Sequence, residues 1–189
     1  MEEIVDFVMC YNAADIPKKV ELVLQNYGSF LDLLEEHECA MRIIIKNECA
    51  FAHRHDDSEL GVKVQTSGTS DPTYKQAVDN LTIEKAVKEG NLHLLDGRLD
   101  EERLQYHQLE TEVISQMRED FTICIGAFKY VEIRDRSILQ KYLAGERTMQ
   151  ELAADNEYSY DGIRNRVLKG RSALSARMLH VLGQKYIAS

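Results

Sequence analysis

The chain has 189 residues, 44% hydrophobic and 29% charged, the ordinary make-up of a soluble globular protein of one domain or two small ones. No apolar run approaches the roughly 18 residues that a membrane span needs, and Met1-Glu2-Glu3 lacks the basic start of a signal peptide. A net charge of −9 argues against a protein that coats nucleic acid without specificity. Cys10, Cys39, Cys49 and Cys124 form no CxxC pair, so reduced thiols and a cytoplasmic location are expected.

Two prolines and many Leu, Glu, Lys and Ala predict helices throughout, an all-α fold. Ile4, Val5, Phe7, Val8 and Tyr11 mark a short amphipathic helix over 2–12. Pro17 suits a first helical position, and Val20, Val23, Leu24 and Tyr27 extend a second helix over 17–27. After the Gly28-Ser29 break, Phe30, Leu33, Leu34, Met41, Ile44 and Ile45 carry a third helix to about His53. Residues 56–72 read as a polar linker, in which Val62-Lys63-Val64-Gln65 alternates as a short extended segment would. A helix from Thr73 to about Glu89, with Ala77, Leu81, Ala86 and Val87 inward, ends at a left-handed cap on Gly90-Asn91. From about Asp100 towards Tyr130, the spacing of Tyr106, Leu109, Val113, Met117, Phe121, Ile125 and Phe128 predicts a long helix. Thr122 and Gly126 are places where it could bend or split. The stripe Leu109, Val113, Met117, Phe121 needs a cover, and the segment from Phe30 to Ile45 can supply it. The divisions expected are an N-terminal helical region over 1–55, the linker, a helical middle region over 73–133 and a C-terminal unit over 134–189.

The C-terminal unit carries the functional signal. Ile138, Leu139, Tyr142 and Leu143 stripe a helix from Arg134 to Ala144, and Gly145 stops it. Thr148-Met149-Gln150-Glu151 is a capping box, in which each side chain accepts a hydrogen bond from the other residue's unpaired backbone N–H. Met149, Leu152 and Ala153 form one face of the short helix that follows, and Ala153 is small enough for close packing. After a turn at Asp155-Asn156-Glu157-Tyr158, Ser159 is a natural N-cap. The next helix is two-faced, with Ile163, Val167, Gly170 and Leu174 on one side and Tyr160, Asp161, Arg164, Asn165 and Lys169 on the other. A capped short helix, a tight turn and a second basic helix are the order of a helix-turn-helix.

Charge supports that reading. Arg134 to Ser189 holds 10 Lys and Arg against 6 Asp and Glu, net +4, while the remainder holds 13 against 26, net −13. A basic end on an acidic body suits a selective DNA reader. Arg164 can bridge a guanine edge and Asn165 an adenine edge, so Tyr160, Arg164 and Asn165 take the base-reading role. Arg166, Lys169 and Arg171 take the phosphate role, and Ser159 sits at the start of the same face. A solvated basic face on a plain helical hairpin is the simpler alternative, but the cap, turn length and amphipathic second helix agree with one another.

Asp135-Arg136-Ser137-Ile138-Leu139, Leu152-Ala153, Ser159, Ile163-Arg164-Asn165-Arg166-Val167 and Gly170-Arg171-Ser172-Ala173-Leu174 together resemble sigma-70 region 4 over roughly a quarter of the chain. The whole chain is similar to the phage- and prophage-encoded sigma-like regulators of late genes, the ArpU-type and RinA-type proteins. Thr69-Ser70-Asp71-Pro72-Thr73, leading into a helix, resembles them too. The resemblance implies a sequence-specific DNA-binding regulator that activates late genes with RNA polymerase. Gly162, where Thr is common in region 4, and Asp161 on the DNA face depart from the pattern. No aromatic and basic cluster suited to melting a promoter is evident.

His37, Cys39, Cys49, His53 and His55 lack the close pairing of a zinc site and read as core cysteines and surface histidines, and Asp56-Asp57 with His55 reads as an acidic loop. No Walker loop or nucleophile elbow occurs, so neither catalysis nor a metal or other cofactor is expected. The aromatic residues Tyr106, Phe121, Phe128 and Tyr130 read as core. Double-stranded DNA and RNA polymerase are the expected partners, with self-association as a further option and no membrane. The competing functions are the small subunit of a phage DNA-packaging terminase, which forms rings, and a helix-turn-helix module that binds protein.

Overall fold

The computed structural model describes residues 2–56 and 72–187, and every described element is helical. In chain order these are α1 (Glu2–Ala13), α2 (Ile16–Gln25), α3 (Phe30–Asp56), α4 (Pro72–Glu89), α5 (Glu101–Ala127), α6 (Ile133–Leu143), α7 (Met149–Asp155) and α8 (Tyr160–Ile187). Two short 3-10 turns, Leu92–Leu95 and Phe128–Tyr130, flank α5. Of the expected linker over 56–72, residues 57–71, with the extended segment and the Thr69–Asp71 part of the lead into α4, lie outside the described residues, as do the side chains of Pro72, Thr73, His53, His55 and Asp56. Asp56 and Pro72 themselves are the last residue of α3 and the first of α4. No described helix is long and apolar enough to cross a membrane.

The chain divides into two compact units, one of Met1–Val5 and Glu35–Ser115, the other of Asp6–Leu34 and Gln116–Ser189. In the first, Met41, Ile45, Ile83, Ala86, Val87, Leu92, Leu95, Val113 and Ile114 are buried. Gly90 adopts φ 66° and closes α4 as the left-handed cap expected there. A buried polar cluster joins α3 to α5. His107 Nδ1 stands 2.9 Å from Glu110 Oε2, and His107 Nε2 stands 2.9 Å from Glu48 Oε2. Arg103 donates to the other oxygen of Glu48 at 2.9 Å. His37, 2% exposed, places Nε2 3.5 Å from Glu110 Oε1.

A ring with a carboxylate at each nitrogen holds a proton on both. Burial by itself lowers the His107 pKa, but the hydrogen bonds to Glu110 and Glu48 overcome it and raise the group above its ordinary value. Burial pushes Glu110 up, and His107 with His37 overcomes that and holds the carboxyl at about 2. The His107 contribution to stability is complete below the unfolded value of about 6.5 and is lost as pH rises through the raised folded value. The Glu110 contribution is complete above its unfolded value and is lost as pH falls towards 2. Thermal melting should therefore be most resistant at mildly acidic pH and fall off on both sides. His107→Gln should flatten the alkaline limb, and an alkaline limb identical to that of the native chain would remove His107 as its cause.

In the second unit α8 packs against α2, α6, α7 and the Phe128–Tyr130 turn. Phe30 stacks on Phe121 at 5.2 Å with ring planes 7° apart, so the first residue of α3 covers part of the α5 stripe as expected. Phe7 and Tyr11 meet Phe30 edge-on, and Tyr27 lies against Phe121 and Phe128. Gly28 abuts the end of α6 so closely that a Cβ there would lie 2.5 Å from the Ala144 carbonyl oxygen. The fully buried Asp120 accepts hydrogen bonds from Tyr11 at 2.7 Å, Tyr186 at 2.8 Å and Lys185 at 2.8 Å. Burial and the Asp120 carboxylate push both phenols well above their ordinary range. Lys19 lies over both tyrosine rings.

Several inward assignments are corrected. Leu109 is 44% exposed and Leu81 66%, and Ala77, Tyr106 and Tyr130 also face outward. His37 is buried and Cys39 exposed, the reverse of surface histidines around core cysteines, although Cys49 is buried as expected. α5 runs unsplit to Ala127, with the Thr122 hydroxyl donating back to the Arg118 carbonyl inside the helix.

Candidate nucleic-acid interface

Local chemistry fixes the elements at the C-terminal end. Gly145, at φ 70°, ends α6 where a Cβ would be strained. Thr148, extended at φ −73° and ψ 162°, accepts from the Glu151 N–H at 3.3 Å, and the Glu151 carboxylate accepts from the Thr148 N–H at 2.8 Å. This is the capping box expected from sequence, a feature worth about 0.5–2 kcal/mol in helices of this kind. α7 buries Leu152 and Ala153. Its end is closed by Asn156, which donates to the Leu152 carbonyl, and by Glu157 in the left-handed region at φ 56°. The Tyr158 N–H then donates to Ala153 O at 3.1 Å. Ser159 caps α8, accepting from the Gly162 N–H at 3.1 Å.

α8 buries Ile163, Val167, Gly170, Leu174, Met178 and Leu182, at steps of three and four. Gly170 lets α6 come close, since a Cβ there would meet Leu139 at 3.2 Å. Tyr160, Asp161, Arg164, Asn165 and Lys169 are exposed together on the first turns of α8. Leu168, 51% exposed, shares that face and was not singled out by sequence reasoning, which assigned roles to polar residues only.

The seven residues expected to meet DNA fall into different environments. Among the described residues, no side chain engages Arg164 or Asn165. Lys169 pairs at 3.3 Å with Glu132, and both ends of that pair are exposed. Arg166 is turned to α6, with Nη1 2.5 Å from Asp135 Oδ1 and the guanidinium 4.4 Å from the centre of the Tyr158 ring. Arg171 is half-buried, within electrostatic reach of Glu21 on α2. Ser159 is committed to its cap. Neighbouring cations are engaged as well. Arg136 donates to the Val131 and Lys129 carbonyls, Arg177 covers the Tyr130 ring, and Arg147 faces Glu151 and Asp155.

Side chains of the metal-ligating types form no group of three suited to a metal ion among the described residues. Comparison with family models, curated proteins and solved structures finds no match to this chain.

Proposed function

We propose that α6, α7 and α8 form a sigma-like helix-turn-helix unit that reads duplex DNA, and that the protein regulates transcription of phage or prophage late genes together with RNA polymerase. The observation that carries the proposal is the pairing of a capped α7 and a tight turn with an α8 whose first turns leave Arg164 and Asn165 exposed and unengaged. The start of a helix favours phosphate through its unpaired N–H groups and dipole. Arg164 has the fork for a guanine edge, Asn165 the amide for adenine, and Leu168 the apolar surface for a thymine methyl. The acidic remainder, net −13 by residue count, is poorly suited to gripping a melted strand, which needs a basic groove with stacking aromatics. The unit therefore acts on the duplex, and opening of the promoter falls to the polymerase.

The test is selection of bound duplexes from a randomised pool, followed by titration of variants against the winner. Arg164→Ala should cost on the order of 1–3 kcal/mol and relax preference at one base pair. Lys169→Ala should weaken all sequences alike and reduce the salt slope by about one unit. If neither change altered binding to the selected site, this face would not be the reader. Permanganate-reactive thymines with protein alone would exclude dependence on polymerase. Stable rings without polymerase contact would favour DNA packaging instead.

A further inference from the structure

We infer that Arg166 is a positioning residue: held between Asp135 of α6 and the Tyr158 ring, it sets the reading face of α8 against α6 and the turn and does not meet a phosphate. The inference rests on the proposed reading of DNA by α8 and changes the role that spacing alone gives this arginine.

Two acid–base pairs link α6 and its N-cap residue Glu132 to α8, and they differ in burial. Lys169 and Glu132 have side chains 71% and 64% exposed, so water can replace either partner, and a phosphate can replace Glu132, at little cost. The Asp135 side chain is only 4% exposed, and Arg166 approaches it at 2.5 Å. Drawing Arg166 away to a phosphate would strand a buried carboxylate, which costs more than one exposed phosphate contact returns. Asp135 also stands in the first turn of α6, where the helix N-terminus favours its negative charge and fixes its place. On its other side Arg166 lies against Tyr158, whose N–H is bonded to Ala153 of α7. One guanidinium thus connects α6, the turn and α8, and the exposed Arg164 and Asn165 stand directly before it on the same helix.

The two roles predict opposite signs for one substitution. If Arg166 positions the helix, Asp135→Asn in the full chain should weaken binding to the selected duplex by about tenfold, a mid-range coupling between contacting residues. The salt slope should stay unchanged, and Arg166→Gln should add little to Asp135→Asn. If Arg166 met a phosphate, Asp135→Asn would free a cation and remove an acid, so binding would tighten and the slope steepen; that result overturns the proposal. Arg166→Lys keeps the charge without the planar stack and should restore part of the loss seen in Arg166→Gln. The Tyr158 ring-proton shifts of the free protein supply a readout that needs no DNA. They should move in Asp135→Asn, and unchanged shifts would also overturn the brace. If the native chain selected no duplex at all while these shifts moved, the DNA reading would fail and the brace would stand.

Discussion

Asp120→Ala should destabilise the chain by about 3–5 kcal/mol, the range for breaking a buried charge pair from one side. The carboxylate is fully buried and accepts from Tyr11, Tyr186 and Lys185, so its removal leaves two phenols without their acceptor and takes one of the carboxylates from the Lys185 ammonium. Lys185 keeps Glu119 at 2.8 Å, an exposed carboxylate that anchors it less well. Lys19, already lowered in pKa by burial and supported by the charge of Asp120, loses that support. Asp120→Asn keeps the shape but turns an amide N–H₂ towards donors, and should fall between Ala and the native chain. Urea unfolding followed by circular dichroism measures both. A loss under about 1 kcal/mol for Asp120→Ala, the size of a surface pair, would mean that water replaces the carboxylate and the network carries no net stability.

Phe30→Ala should cost about 3–5 kcal/mol as well, by a different mechanism. Phe30 is fully buried and meets Phe121 face to face and Phe7 and Tyr11 edge-on. Truncation loses the transfer energy of the ring, leaves a cavity between helices, and removes aromatic pairings each worth about 0.5–1.5 kcal/mol beyond area. Phe30→Leu fills most of the volume without the ring geometry and should recover more than half of the loss. Equal losses for Ala and Leu would show that ring stacking, not volume, dominates the site.

The features legible from sequence are those with local causes. Thr148 and Glu151 are three residues apart and need only each other, and the steps Ile163, Val167, Gly170, Leu174 need only a helix. What was not legible depends on partners remote in the chain. Tyr11 and Asp120 are 109 positions apart, and nothing near Asp120 distinguishes it from a solvated acid. In α5 the buried face passes through His107, Glu110 and Thr111 before reaching Val113 and Ile114. A stripe traced through apolar residues alone shifts to Tyr106 and Leu109, which lie outside. Glu157 takes a left-handed conformation that Gly or Asn usually marks. Charge counting had the same limit at the candidate interface. It counts Arg166 towards the phosphate face, whereas its guanidinium is paired with the Asp135 carboxylate of its own chain.

The length of α8 bears on modularity. At 28 residues and about 1.5 Å per residue, it is a single rod of about 42 Å. Its first turns carry Arg164 and Asn165, and its last turn carries Lys185 and Tyr186 on Asp120. Both ends lie within one compact unit, which also holds α2 and most of α1. The stretch from Arg134 onward is therefore expected to lose stability when cut out and grafted elsewhere, since α8 also packs on α2 and ends on Asp120. Removed from α5, the rod keeps its exposed arginine and loses the mooring at its far end.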